Sequence, residues 1–141
     1  MALVDTSTEF GQRVQRRLES EVVVWLTTQG KDGTPEPSPV WFLRESDDEV
    51  IIYSQPNKPK VRNIEARPVV ALTFNSTPSG GDVVIFHGEA RVDPDAPAAA
   101  DHADYLAKYN ASIKGLGMTV QQFSDEYSVP IRVRLTRLRG F

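Results

Sequence analysis

The segment Glu21–Leu43, EVVVWLTTQGKDGTPEPSPVWFL, decides the fold class. Glu21–Thr28 is apolar and β-branched and too short for a buried helix, so it reads as a strand. Within Gln29–Thr34, the pair Asp32-Gly33 is a hairpin-turn signal, which makes Glu36–Leu43 the returning strand. Pro37 and Pro39 cannot donate ladder hydrogen bonds, so the first half of that strand is an edge, a bulge or irregular backbone. Val40-Trp41-Phe42 is its buried half. Two strands joined by a tight turn form an antiparallel unit, and the rest of the chain extends it.

On the N-terminal side, residues 6–20 have the pattern of an amphipathic helix. Thr6 and Glu9 have capping-box spacing, and Phe10, Val14 and Leu18 fall on one face. On the C-terminal side, Val50–Ser54, Val69–Asn75, Val83–Val92 and Ile131–Leu138 read as further strands. Lys58–Ala66 reads as a short helix with Pro59 in its first turn, stopped by Arg67-Pro68. A second helix is expected over 96–109, capped by Asp93 or Asp95, followed by a loop over 110–118 and a short helix over Val120–Tyr127. Six strands at short spacing predict a mainly β chain: a six-stranded antiparallel barrel with a few helices, which closes off its own strand edges.

The chain has 141 residues, which fits one domain spanning 1–141. It contains no cysteine, so disulfides and thiolate chemistry are excluded. No apolar run approaches a membrane span and no signal-peptide pattern stands at the start, so the expectation is a cytoplasmic protein that engages no membrane. Nucleophile elbows, phosphate-binding loops and zinc-protease motifs are missing. His87 and His102 stand apart from other metal ligands, so no metal site is expected.

Net charge is −3, from 16 basic and 19 acidic residues, but the basic residues are unevenly spread. Lys58–Arg67 carries +3 and Arg132–Arg139 carries +4, leaving −10 on the remainder. The acidic balance argues against a nucleic-acid partner, and the clusters point to a local anion site. In Tyr53-Ser-Gln-Pro-Asn-Lys-Pro-Lys-Val-Arg-Asn-Ile64, a strand ends at Ser54 and Lys58, Lys60 and Arg62 gather at a helix start. Backbone N–H groups, three cations and a hydroxyl suit a phosphate or carboxylate. A solvated basic helix face explains the same residues, and both readings stay open. For Arg132–Arg139 the simpler reading is a charged outer strand face paired with acids, and the other, attraction of an acidic ligand tail, stays open beside it.

The order of these features resembles the pyridoxamine-phosphate-oxidase-like split β-barrel superfamily. It is carried by the Gly-Lys-Asp-Gly-Thr-Pro turn, Pro37-Ser-Pro-Val-Trp-Phe42, Tyr53-Ser54, Lys58-x-Lys60-x-Arg62-Asn63 and Pro68-Val-Val-Ala-Leu72. The resemblance spans roughly residues 10–92, with 130–139 more loosely matched. Within the superfamily the chain most resembles the short actinobacterial branch that uses the deazaflavin coenzyme F420. The resemblance implies an FMN-binding-like split barrel that forms a homodimer, with the cofactor between protomers. It implies that Ser54, Lys58 and Lys60 hold a phosphate, and that Val61, Arg62 and Asn63 complete the pocket beside Tyr53. Pro39, Val40 and Trp41 would line the flat ring, although Trp41 also suits ordinary core packing. The activity implied is hydride transfer from reduced F420 to a small unsaturated organic substrate. The alternatives are an FMN-dependent oxidase or reductase, and a non-catalytic carrier of flavin, deazaflavin or haem. Tyr53 and His87 are candidates for a proton donor.

Overall fold

A computed structural model describes residues 2–141. The elements are α1 (Glu9–Ser20), β1 (Val23–Gln29), β2 (Pro35–Trp41), β3 (Leu43–Ser46), β4 (Glu49–Ser54), α2 (Pro59–Ala66), β5 (Val69–Thr73), β6 (Val84–Val92), α3 (Ala103–Gly115), α4 (Val120–Glu126) and β7 (Val129–Gly140). All seven strands join one antiparallel sheet in the order β2-β1-β5-β6-β7-β4-β3. The fold is a mainly β, curled half-barrel with four α-helices.

The count of seven rather than six comes from the returning strand. Its two halves pair with different partners: Trp41 opposes Val23 of β1, whereas Leu43 opposes Ile51 of β4. These halves are the two edges of the sheet, and Phe42 alone connects them. The sheet therefore curls until its edges meet at one residue, where the chain crosses between them without a ladder. The backbone groups released there find other partners. The Tyr109 hydroxyl accepts from the Phe42 N–H at 2.8 Å and donates to the Val22 carbonyl at 2.7 Å. Lys108 Nζ donates to the Phe42 carbonyl at 2.9 Å.

Two apolar clusters flank β4. Val50 and Ile52 point into the barrel with Val24, Leu26, Phe42, Leu72 and Phe86, and Val14 and Leu18 of α1 join that interior. Ile51 and Tyr53 point outward into a second cluster with Tyr105, Tyr109 and Ile113 of α3 and Phe123 of α4. A strand covered on both faces has no reason to alternate, which is why Val50–Tyr53 is a continuous apolar run.

Several helix expectations shift. Helix α1 begins at Glu9, capped by Thr8, because the Asp5 carboxylate takes the Ser7 N–H and hydroxyl and holds the preceding residues in a turn. Neither Asp93 nor Asp95 caps a helix. Asp93 instead pairs with Arg132 at 2.8 Å, a short 3-10 turn covers Ala99–Asp101, and His102 caps α3. That helix runs on to Gly115, through residues expected to form a loop, because Ile113 extends the buried face begun by Tyr105 and Tyr109. In β7, Thr136 is an extra residue between the pairs Gly88–Leu135 and His87–Arg137, the shift in alternation read from its sequence. Gly88 allows it, since a Cβ there would lie 2.6 Å from the Arg134 carbonyl oxygen. No helix among the described residues is long and apolar enough to cross a membrane.

Candidate functional site

Crossing at Phe42 brings the end of β2 beside β4, and the C-terminal ends of these strands frame a groove of about 350 Å³. Pro39, Val40 and Trp41 form one side, and Tyr53, Ser54, Lys58 and Lys60 form another. Seven of the residues singled out from the sequence thus share one cavity. Gln55, Tyr105, Leu116, Phe123 and Tyr127 complete the lining, and none of these five was assigned to the site from sequence.

The polar part of the lining is built by the turn after β4. Ser54 is buried and donates to the Gln55 carbonyl at 2.9 Å, while Gln55 Nε2 reaches Glu126 at 2.7 Å and ties the turn to α4. Asn57 takes a positive φ of 63°, which asparagine tolerates, and sets Lys58 at the N-cap of α2. Burial lowers the pKa of Lys60 and the nearby Lys58 ammonium lowers it further. Two like charges held this close favour an anion between them.

Val61, Arg62 and Asn63 do not line the groove. Val61 packs against the barrel interior. Arg62 Nη1 donates to the Asn57 carbonyl at 2.9 Å, bracing the turn that carries Lys58. Asn63 is buried, and its Nδ2 donates to Thr28 and Glu36, each at 3.0 Å, fastening α2 to β1 and β2. These contacts make the last two supports of the basic turn.

The other part of the lining is aromatic. Trp41 stacks on Tyr109 at 4.8 Å with planes 5° apart and on Phe123 at 5.4 Å. Phe123 in turn stacks on Tyr127 at 4.5 Å. Trp41 is therefore both a packing residue and a wall of the groove. Tyr53 donates to the Pro97 carbonyl at 2.7 Å, and burial pushes its phenol up to about 12, so it holds its proton at neutral pH. His87 lies outside the groove, where it accepts from Arg139 Nε at 3.2 Å.

The aromatic wall is positioned through the start of α3. His102 Nδ1 accepts from the Tyr105 N–H at 3.2 Å and its Nε2 lies 2.9 Å from Glu45, which Arg132 also holds. Burial alone would raise the Glu45 pKa, but hydrogen bonds and charge from Arg132 and His102 lower it overall. A depressed carboxylate contributes stability above its ordinary range, and the contribution is lost as pH falls through the depressed value. Glu45→Gln is accordingly expected to flatten the acid side of a plot of unfolding midpoint against pH. An unchanged acid limb would show that Arg132 and His102 do not hold the Glu45 carboxylate in its charged form.

The C-terminal basic segment stays away from the groove. Arg132 pairs with Glu45 and Asp93, and Arg134 with Glu89 at 2.7 Å, so half of its charge is matched on the outer face. No cluster of three or more metal-ligating side chains occurs among the described residues.

No curated protein sequence matches the chain. Solved structures with a similar fold include an F420 reductase, 24% identical with a TM-score of 0.69, covering 89% of this chain and 94% of that one. The haem storage protein HutZ of Vibrio cholerae is 13% identical with a TM-score of 0.65, covering 94% and 95%. An FAD-binding protein of Mesorhizobium loti is 19% identical with a TM-score of 0.64, covering 90% and 88%. Likeness at these identities establishes a shared fold and leaves the ligand undecided. Sequence evidence goes further, since the profile of pyridoxamine 5'-phosphate oxidase matches residues 10–139. With nearly the whole length matched, the chain belongs to the pyridoxamine 5'-phosphate oxidase family.

Proposed function

We propose that this protein is an F420-dependent oxidoreductase acting on a small unsaturated organic substrate. The reading rests on one observation: Ser54, Lys58 and Lys60 adjoin an aromatic wall in a single groove. A phosphate joined to a flat ring system matches both halves of that lining. In this reading Lys58 and Lys60 hold the phosphate, Ser54 turns its hydroxyl to it from the Gln55 carbonyl, and Pro39, Val40 and Trp41 border the ring. Arg62 and Asn63 act behind them by holding the turn and α2 in place. Bound reduced F420 supplies the hydride, and the chain orients the ring and excludes water. The likeness to an F420 reductase favours this cofactor.

FMN carries the same kind of phosphate and is the second reading, favoured by the likeness to an FAD-binding protein. A haem carrier fits less well, because His87 and His102 both lie outside the groove lining. We also place the protein in the cytoplasm as a homodimer. Trp25 is 38% exposed and Val69 53% exposed on one sheet face, and Trp25 is paired with the groove residue Pro39. A second copy on that face would cover the apolar patch and close the groove.

Titration of the apo-protein with F420 and with FMN, followed by tryptophan fluorescence, separates the readings. Saturable quenching by F420 with weak or no response to FMN is expected. Tight FMN binding without a response to F420 would overturn the first reading in favour of the second.

A further inference from the structure

Tyr105 is fully buried on α3 and lines the groove, yet its hydroxyl has no hydrogen-bond partner. Among the described residues it is the one buried side-chain polar atom left in that condition. Its neighbours are treated differently. Tyr53 donates to Pro97, and Tyr109 bonds both Phe42 and Val22, so the same aromatic cluster satisfies two other phenols. An orphaned buried hydroxyl costs folding free energy that a phenylalanine of the same shape would not.

Burial raises the Tyr105 phenol above its ordinary range, so the group remains a hydrogen-bond donor rather than an acid. Three other donors of the lining are already spent within the protein: Tyr53 on the Pro97 carbonyl, Ser54 on the Gln55 carbonyl and Gln55 on Glu126. At the aromatic wall, Trp41, Phe123 and Tyr105 pack ring against ring. A donor set into such a wall discriminates sharply, because a ligand lacking the matching acceptor leaves it unpaired.

We propose that Tyr105 is a ligand-recognition residue whose buried hydroxyl is uncovered when a flat, conjugated molecule enters against the aromatic wall, and then donates to a carbonyl oxygen of that molecule. The inference rests on the groove being the cofactor site. It narrows the ligand class to planar molecules that bear a carbonyl, whether that oxygen belongs to the cofactor ring or to a substrate beside it.

Tyr105→Phe tests it through two readouts with opposite signs. Apo-protein carrying the substitution is expected to unfold a few degrees higher than the parent, because the orphan is removed. Titrations with F420, with FMN and with menadione as a substrate-like quinone should then show at least one probe bound about tenfold more weakly. A loss confined to F420 or FMN assigns the acceptor to the cofactor, and a loss confined to menadione assigns it to the substrate. Unchanged affinity for every probe the parent binds would overturn the inference while leaving the cofactor reading intact. So would a lower unfolding temperature, since it would mean the hydroxyl already has a partner. Failure of the parent to bind any probe would remove the cofactor reading and this inference with it.

Discussion

Replacing Lys58 and Lys60 together by alanine is expected to abolish measurable F420 binding while leaving the apo-fold intact. A charge-assisted hydrogen bond to phosphate contributes roughly 1.5–3 kcal/mol, so each single substitution should weaken binding about tenfold to a hundredfold. Neither lysine supports the fold in exchange. Lys58 and Lys60 make no ion pair among the described residues, and the ammonium of Lys60 is disfavoured where it stands. A lysine whose folded pKa is lowered makes the folded state less stable at pH values where it is charged, so removing that charge does not destabilise the apo-protein. The same shift predicts that affinity for a phosphate falls, as pH rises, earlier than for an ordinary lysine. Fluorescence titration of the single and double variants across pH measures both effects. Normal binding by the double variant would place the phosphate elsewhere.

The second large effect is expected at the crossing between sheet edges. Phe42 is 1% exposed and meets Phe74 edge-on at 5.6 Å, so Phe42→Ala should cost about 3–5 kcal/mol. For a chain of this length that lowers the unfolding midpoint on the order of 10 °C. Tyr109→Phe isolates the polar half of the same junction. It leaves the buried Phe42 N–H without its acceptor and should cost about 1–3 kcal/mol, although the ring stays in place. Both variants should also weaken ligand binding, because the crossing holds Trp41 against the groove. Calorimetry is the direct measurement. Parental stability in both variants would mean that the barrel does not depend on this junction. Tyr109→Phe and Tyr105→Phe are one chemical change on one helix, and they are expected to move stability in opposite directions.

Most of the scaffold was legible because local chemistry dictates it. Apolar β-branched runs such as Glu21–Thr28 have few alternatives to a strand, and Asp32-Gly33 closes a hairpin wherever it falls between two of them. Gly33 has a φ of 84°, as that turn requires. The polar half of the groove was equally local, since Ser54, Lys58 and Lys60 lie within seven residues across one strand end and one helix start. Arg62 and Asn63 were recognisable as part of the same run, but their contacts with Asn57, Thr28 and Glu36 could not be read from it. A side chain's type limits what it can bond, and the fold selects which of those bonds forms.

What the sequence determined by itself was an antiparallel β chain with a basic turn after its third apolar strand. Both follow from periodicity, turn chemistry and charge within a few residues. Only the tertiary structure decided that the strand ending at Trp41 and the strand starting at Leu43 lie on opposite edges of one sheet. Only it brought Tyr105, Phe123 and Tyr127 over a groove begun more than fifty residues earlier. The spacing of Tyr105 on α3 and Phe123 on α4 reports that both are buried, but burial has no address in a single sequence. The partner that covers an apolar face is settled when the sheet curls, and the one buried hydroxyl left unmatched among the described residues is the feature that narrows the ligand.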